Sequence, residues 1–106
     1  MRLKEAFILL EEGQYALNKD AAETIALQAI AHIISDEQLQ NVFLNLSGLD
    51  ESSLRMRIQE LDVHCAALDF LMQSDEWLLN FAERLDLSPE TIAHARHILS
   101  PLEIYG

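Results

Sequence analysis

The chain has few of the residues that staple, hinge or cradle phosphate. It has one cysteine, Cys65, so no internal disulfide can form, which suits a reducing compartment. Three glycines and two prolines leave no glycine-rich phosphate loop, Gly-x-Ser-x-Gly elbow or dinucleotide fingerprint. Basic residues are scarce too: seven Lys and Arg stand against eighteen Asp and Glu, a net charge of −11. Such a field repels phosphate backbones and anionic membrane surfaces and favours basic partners. No apolar run approaches the roughly 20 residues of a membrane span. Residues 1–10 set Arg2 and Lys4 ahead of an apolar patch, but Glu5 interrupts it and no small-residue cleavage site precedes Glu11-Glu12. The expectation is a soluble cytoplasmic protein.

Apolar residues make up 50% of the chain, enough for a core without metal or disulfides. At 106 residues there is room for one domain. The organising stretch is Thr24-Ile-Ala-Leu-Gln-Ala-Ile-Ala-His-Ile-Ile34. Its polar residues Thr24, Gln28 and His32 fall four apart, in one narrow stripe of a helix whose other sides need neighbours.

Around this stretch, helix signals recur. Asp20 with Glu23, and Ser35 with Gln38, read as capping-box pairs, the second opening a new helix from Asp36. In that helix Leu39, Val42, Phe43 and Leu46 are spaced i, i+3, i+4, i+7, a one-sided amphipathic pattern, with Gly48 as the stop. Asp50 caps a short helix carrying Leu54 and Ile58, and Asp62 caps one carrying Val63, Ala66, Ala67, Phe70 and Leu71. Ser74 starts a helix with Asp75 and Glu76 in its first turn and Trp77, Leu78, Phe81, Ala82 and Leu85 inward. Ser88-Pro89 is an N-cap with proline at the first helical position, and Ser100-Pro101 ends that run. Leu3, Ala6, Phe7 and Leu10 place a further helix over residues 2–12, and no strand is expected. The prediction is an all-α fold: a compact orthogonal bundle of about five short helices around a central helix at 21–34, plus an N-terminal helix. Residues 1–19 form an N-terminal segment and 20–102 a single domain.

The blocks Asp20-Ala-Ala-Glu-Thr-Ile-Ala-Leu-Gln-Ala-Ile30, Leu44-Asn-Leu-Ser-Gly-Leu49, Leu68-Asp-Phe-Leu-Met72 and Asp75-Glu-Trp-Leu-Leu-Asn-Phe-Ala82 resemble a bacterial family of small all-helical proteins catalogued as a domain of unknown function. The resemblance spans about residues 20–99. It implies a small cytoplasmic helical domain and brings no reaction, cofactor or site residue.

Residues 81–99 read as a helix-turn-helix, with Ala82 at the helix crossing, Leu87 in the turn, Ser88 as cap and Ile92 inside. As a DNA reader it would set Pro89, Glu90, Thr91 and His94 near the groove. Asp86 stands where glycine is usual, and Glu83, Asp86 and Glu90 outnumber Arg84 and Arg96, against the basic face of DNA binders. His94 and His97, i and i+3, would need a third ligand such as Cys65 or His64 to hold zinc. Cys65 beside His64 lies about 100° away on a helix, so the two do not share a proton, and its apolar neighbours suggest a buried thiol. Asp69, between Leu68 and Phe70, reads as an ion-pair member with Arg55 or Arg57 as partner.

The reading is a non-enzymatic protein-interaction or adaptor module with no catalytic, cofactor-binding or metal residue. Its partner is a protein or a second copy of the chain, rather than nucleic acid, membrane or small-molecule substrate. Leu3, Phe7 and Leu10 (with Ile8 beside them), together with Arg55 and Arg57, are its candidate contacts. The alternative is a DNA-binding regulator using residues 81–99.

Overall fold

The computed structural model describes residues 8–9 and 15–100, with side chains placed from residue 17 onward. A two-residue antiparallel ladder comes first, β1 (Ile8–Leu9) on β2 (Tyr15–Ala16), pairing Ile8 with Ala16 and Leu9 with Tyr15. Six helices follow: α1 (Lys19–Ile34), α2 (Glu37–Ser47), α3 (Glu51–Met56), α4 (Leu61–Leu71), α5 (Asp75–Leu85) and α6 (Pro89–Leu99). The fold is all-α apart from that ladder. The ladder corrects the helix expected over residues 2–12, since Ile8 and Leu9 are extended. Isoleucine and tyrosine suit extended backbone, and two residues are too few to show a period-two alternation. Leu3, Phe7 and Leu10 lie outside the described residues.

α1 is the central helix. Ala21, Ala22, Ile25, Ala26, Ala29, Ile30 and Ile33 are buried along it, a face far wider than a surface helix shows. Its four buried alanines let neighbouring helices approach closely, and its broadest contacts are with α6 and α4, then α2. Gln28 is exposed while Thr24 and His32 are half-buried, so the polar stripe does mark the wetter side. Ile34 remains 39% exposed where the helix ends.

The caps show which local signals governed. Asn18, rather than Asp20, caps α1, its Oδ1 accepting from the Ala21 N–H at 2.7 Å. Ser35 closes α1, its N–H donating to the Ala31 carbonyl at 3.0 Å, and Asp36 caps α2 by accepting from the Leu39 N–H at 3.2 Å. Asp50, Ser74 and Ser88 cap α3, α5 and α6 as expected. α4 starts after Glu60 with no side-chain cap, which places Asp62 inside its first turn.

Two helix ends use left-handed backbone. Gly48 (φ 78°) donates its N–H to the Leu44 carbonyl. Asp86 takes φ 57° after α5, while Leu87 N–H reaches the Ala82 carbonyl and Asp86 N–H that of Glu83, the paired bonds of a Schellman turn. The glycine-like position therefore exists, and an aspartate fills it, which its short polar side chain tolerates better than most.

Within the bundle α4 also packs on α6, and α5 reaches both. Phe43, Phe81, Leu68, Leu71, Ile92 and Leu99 are almost wholly buried. Truncating one of the phenylalanines to alanine costs about 3–5 kcal/mol, a large share of the roughly 5–15 kcal/mol that holds a domain together. His64 is the one buried polar residue among those described, and its Nε2 lies 2.8 Å from the Ile58 carbonyl, which fixes that nitrogen as the donor.

Candidate functional site

Not all of the apolar pattern is spent on the core. On α2, Leu39 and Phe43 are buried, but Val42 and Leu46 of the same amphipathic pattern are 39% and 63% exposed. The i, i+3, i+4, i+7 spacing fixed their common side without fixing how much of it a neighbour covers.

Val42 lies in a cleft of about 650 Å³, lined by the end of α1, the first half of α2 and the first half of α5. Its apolar surface comes from Leu39, Val42 and Trp77, and its carboxylates from Asp36 and Glu76. The amides of Gln38, Asn41 and Asn80 also line it, and among the described residues no lysine or arginine does.

Trp77 is rigidly supported. Its ring stacks on Phe70 with centroids 4.6 Å apart, and Phe70 meets Phe43 edge-on at 5.2 Å. Both phenylalanines are buried, so this aromatic series carries the half-buried indole from the core to the cleft wall. The Ser74 hydroxyl accepts from the Trp77 N–H and fixes the start of α5 beneath it. An anchor ordered in advance loses little entropy when a ligand covers it.

His32 forms another part of the wall. Its ring tilts against Phe81 at 5.3 Å, and its Nδ1 lies 3.2 Å from Arg84 Nη1. A guanidinium only donates, so Nδ1 accepts and the imidazole is neutral in this arrangement. The same Nη1 donates to the Ser35 hydroxyl at 3.3 Å. Burial holds the His32 pKa below its ordinary value of 6.5, Arg84 lowers it further, and Asp36 opposes them.

The other candidates fall into structural roles. Asp69 pairs with Arg96, not with Arg55 or Arg57: Nε donates to Oδ1 at 2.7 Å and Nη2 to Oδ2 at 3.1 Å. Packing of α4 on α6 brings together residues 27 positions apart, whereas Arg55 and Arg57 find partners nearby. Arg55 faces Glu51 one turn away at 3.5 Å, and Arg57 holds Glu60 and Asp62, which raise its pKa, Glu60 most. Neither arginine lines the cleft.

Cys65 is 7% exposed and its Sγ lies 3.5 Å from the Leu99 carbonyl. Burial pushes its thiol pKa up, the opposite of what activates a nucleophile, although Arg96 pulls it partly back. His64 is committed to Ile58. His94 and His97 are exposed, and no three His, Cys, Asp or Glu side chains among the described residues are placed to share a metal ion. Arg84 and Arg96, the arginines of the helix-turn-helix unit, are engaged by His32 and Ser35 and by Asp69 and Ser100 respectively.

The residues that sequence reasoning missed as a group are Asp36, Val42, Glu76 and Trp77. Each carries a local signal, as a cap, an apolar helix-face residue or a first-turn acid, and only the packing of α2 and α5 on α4 joins them.

These features define a small helical-bundle domain with an acid-rimmed, aromatic-anchored cleft; no described helix is long and apolar enough to cross a membrane. Residues 19–102 match the family described as "Protein of unknown function (DUF3572)", and the chain belongs to that family. No curated protein and no solved structure matches it significantly.

Proposed function

We propose that this domain is a non-enzymatic protein-interaction module of the cytoplasm, and that its partner docks in the cleft between α2 and α5. The observation that carries the reading is Val42 beside Trp77: an exposed aliphatic group and a core-supported indole in one concave surface with an acidic rim. Tryptophan is prominent among the few residues that dominate binding energy at protein interfaces. A net charge of −11 favours encounter with a basic surface.

Affinity capture from a lysate of the source organism tests this with three baits. The native chain should retain one stoichiometric partner, Val42→Glu should lose it, and Met56→Glu, a change at a site 84% exposed and outside the cleft, should keep it. Equal capture by all three, or no stoichiometric partner, contradicts the reading.

The alternative is a DNA-binding regulator using residues 81–99. It draws on the Schellman turn at Asp86 and the Ser88 cap, which join α5 and α6 as a reader would need. The charges oppose it, because both arginines of the unit are already hydrogen-bonded within the bundle and Glu83, Asp86 and Glu90 outnumber them. On the adaptor reading the protein flows through heparin at about 50 mM salt, whereas retention there would favour DNA binding.

A further inference from the structure

The cleft's chemistry narrows what its occupant carries. Asp36 and Glu76 bring two carboxylates to a space about 650 Å³ in size, against a neutral His32 backed by Arg84, and among the described residues no basic side chain lines it. One Asp36 oxygen caps α2, leaving the other without a hydrogen bond among the described residues. Trp77 stacks on Phe70 and, half-buried, also lines the cleft. Asn41 and Asn80 add amide oxygens that can accept from a ligand's N–H groups. An anion entering here meets like charge. A purely apolar side chain would cover Leu39, Val42 and Trp77 but leave the carboxylates facing it, which costs desolvation without return. A guanidinium satisfies both halves: its flat face lies on an indole, its edge donates to carboxylates and amides, and the stem of the side chain covers aliphatic surface.

We propose that the cleft binds an arginine side chain of the docked protein, held on Trp77 and paired with Asp36 and Glu76. This rests on the reading of the cleft as a protein-docking site and specifies the anchor residue. The rim acids then act as the selecting element, rejecting acidic segments and drawing in basic ones. The positive ends of α2 and α5, and Arg84 behind His32, offset part of the carboxylate charge, while among the described residues no lysine or arginine lines the wall itself.

Trp77 is the chain's only tryptophan, so its fluorescence reports the cleft directly. The probe is an amphipathic helical peptide built from leucine, alanine and arginine, compared with the same peptide carrying citrulline, a neutral near-isostere, in place of arginine. At about 150 mM salt, where long-range attraction is largely screened, the arginine peptide should give a saturable change and the citrulline peptide should bind about 10-fold more weakly or worse. Combining Asp36→Asn, which keeps the helix cap, with Glu76→Gln should remove most of that preference. Combining Asp20→Asn with Glu90→Gln removes as much charge outside the cleft and should leave the preference intact.

Equal binding of the two peptides overturns the arginine assignment and leaves docking in place, as a site for apolar segments. A preference that survives Asp36→Asn with Glu76→Gln, or falls equally with the distant pair, also overturns it, since the effect would then belong to net charge. Binding of neither peptide overturns it too, and capture by the native chain against Val42→Glu then separately decides whether the cleft docks a protein at all.

Discussion

Arg96 grips Asp69 with two parallel hydrogen bonds, Nε to Oδ1 at 2.7 Å and Nη2 to Oδ2 at 3.1 Å, and so clamps α6 to α4 across 27 residues of chain. Its third arm, Nη1, donates to the Ser100 hydroxyl at 2.7 Å and ties the end of α6 into the same group. The Asp69 hydrogen bond is the main influence raising the Arg96 pKa. The side chains are 24% and 51% exposed, so solvent screens much of the attraction. A double-mutant cycle of Arg96→Met and Asp69→Asn should give a coupling of about 0.5–1 kcal/mol at low salt, shrinking in 1 M salt. A coupling of several kcal/mol would mean the pair is far drier than its exposure indicates.

His32 sets a pH dependence of stability. The folded protein holds the imidazole neutral, through burial first and Arg84 second, so its pKa lies below the 6.5 of an unfolded chain. Protonation therefore favours unfolding: the contribution is complete above about pH 6.5, declines as the pH falls through that value, and levels off below the folded pKa. Urea midpoints measured between pH 4.5 and 8 should show this step, and His32→Gln should flatten it. Asp50, whose carboxyl is held below its ordinary 3.8 chiefly by the Ser53 N–H, acts only at lower pH and stays out of that window. An unchanged step in His32→Gln would place its origin elsewhere.

Gly48 separates backbone strain from crowding. A Cβ added there meets nothing within 4 Å, yet φ is 78°. Gly48→Ala should therefore lower stability by about 1 kcal/mol, or roughly 4–8 °C in Tm, through the left-handed conformation alone. A stability equal to that of the native chain would show that α2 can end another way.

Cys65 should be inert. With the residue 7% exposed and its thiol pKa raised by burial, labelling by a disulfide reagent at pH 8 should be slow in the folded protein and fast in denaturant. Rapid labelling of the native chain would contradict the packing around α4.

The sequence made the helices legible where the determining chemistry is local. Asp50, Ser74 and Ser88-Pro89 cap by hydrogen bonds reaching three residues, and Gly48 relieves one backbone angle, so each could be read in isolation. α1 was legible as the centre because no surface helix carries so broad an apolar face. Errors of one or two residues arose where two cap formers compete, Asn18 with Asp20 and Asp36 with Ser35, and where α4 begins with no side-chain cap at all. The Asp69 partner was illegible for a different reason: Arg55 and Arg57 are nearer in sequence, but packing of α4 on α6 chooses Arg96. The cleft was hidden by the same cause, since Asp36, Val42 and Trp77 meet only after three helices pack.

The most direct test of docking between α2 and α5 is site-specific photo-crosslinking in living cells of the source organism. A photoreactive residue at position 42 should capture one discrete partner band, lost when Trp77→Ala is added in a chain shown to remain folded, while the same group at position 56, more exposed to solvent but outside the cleft, should not capture it. No band from position 42, or the same band from both positions, would contradict the account.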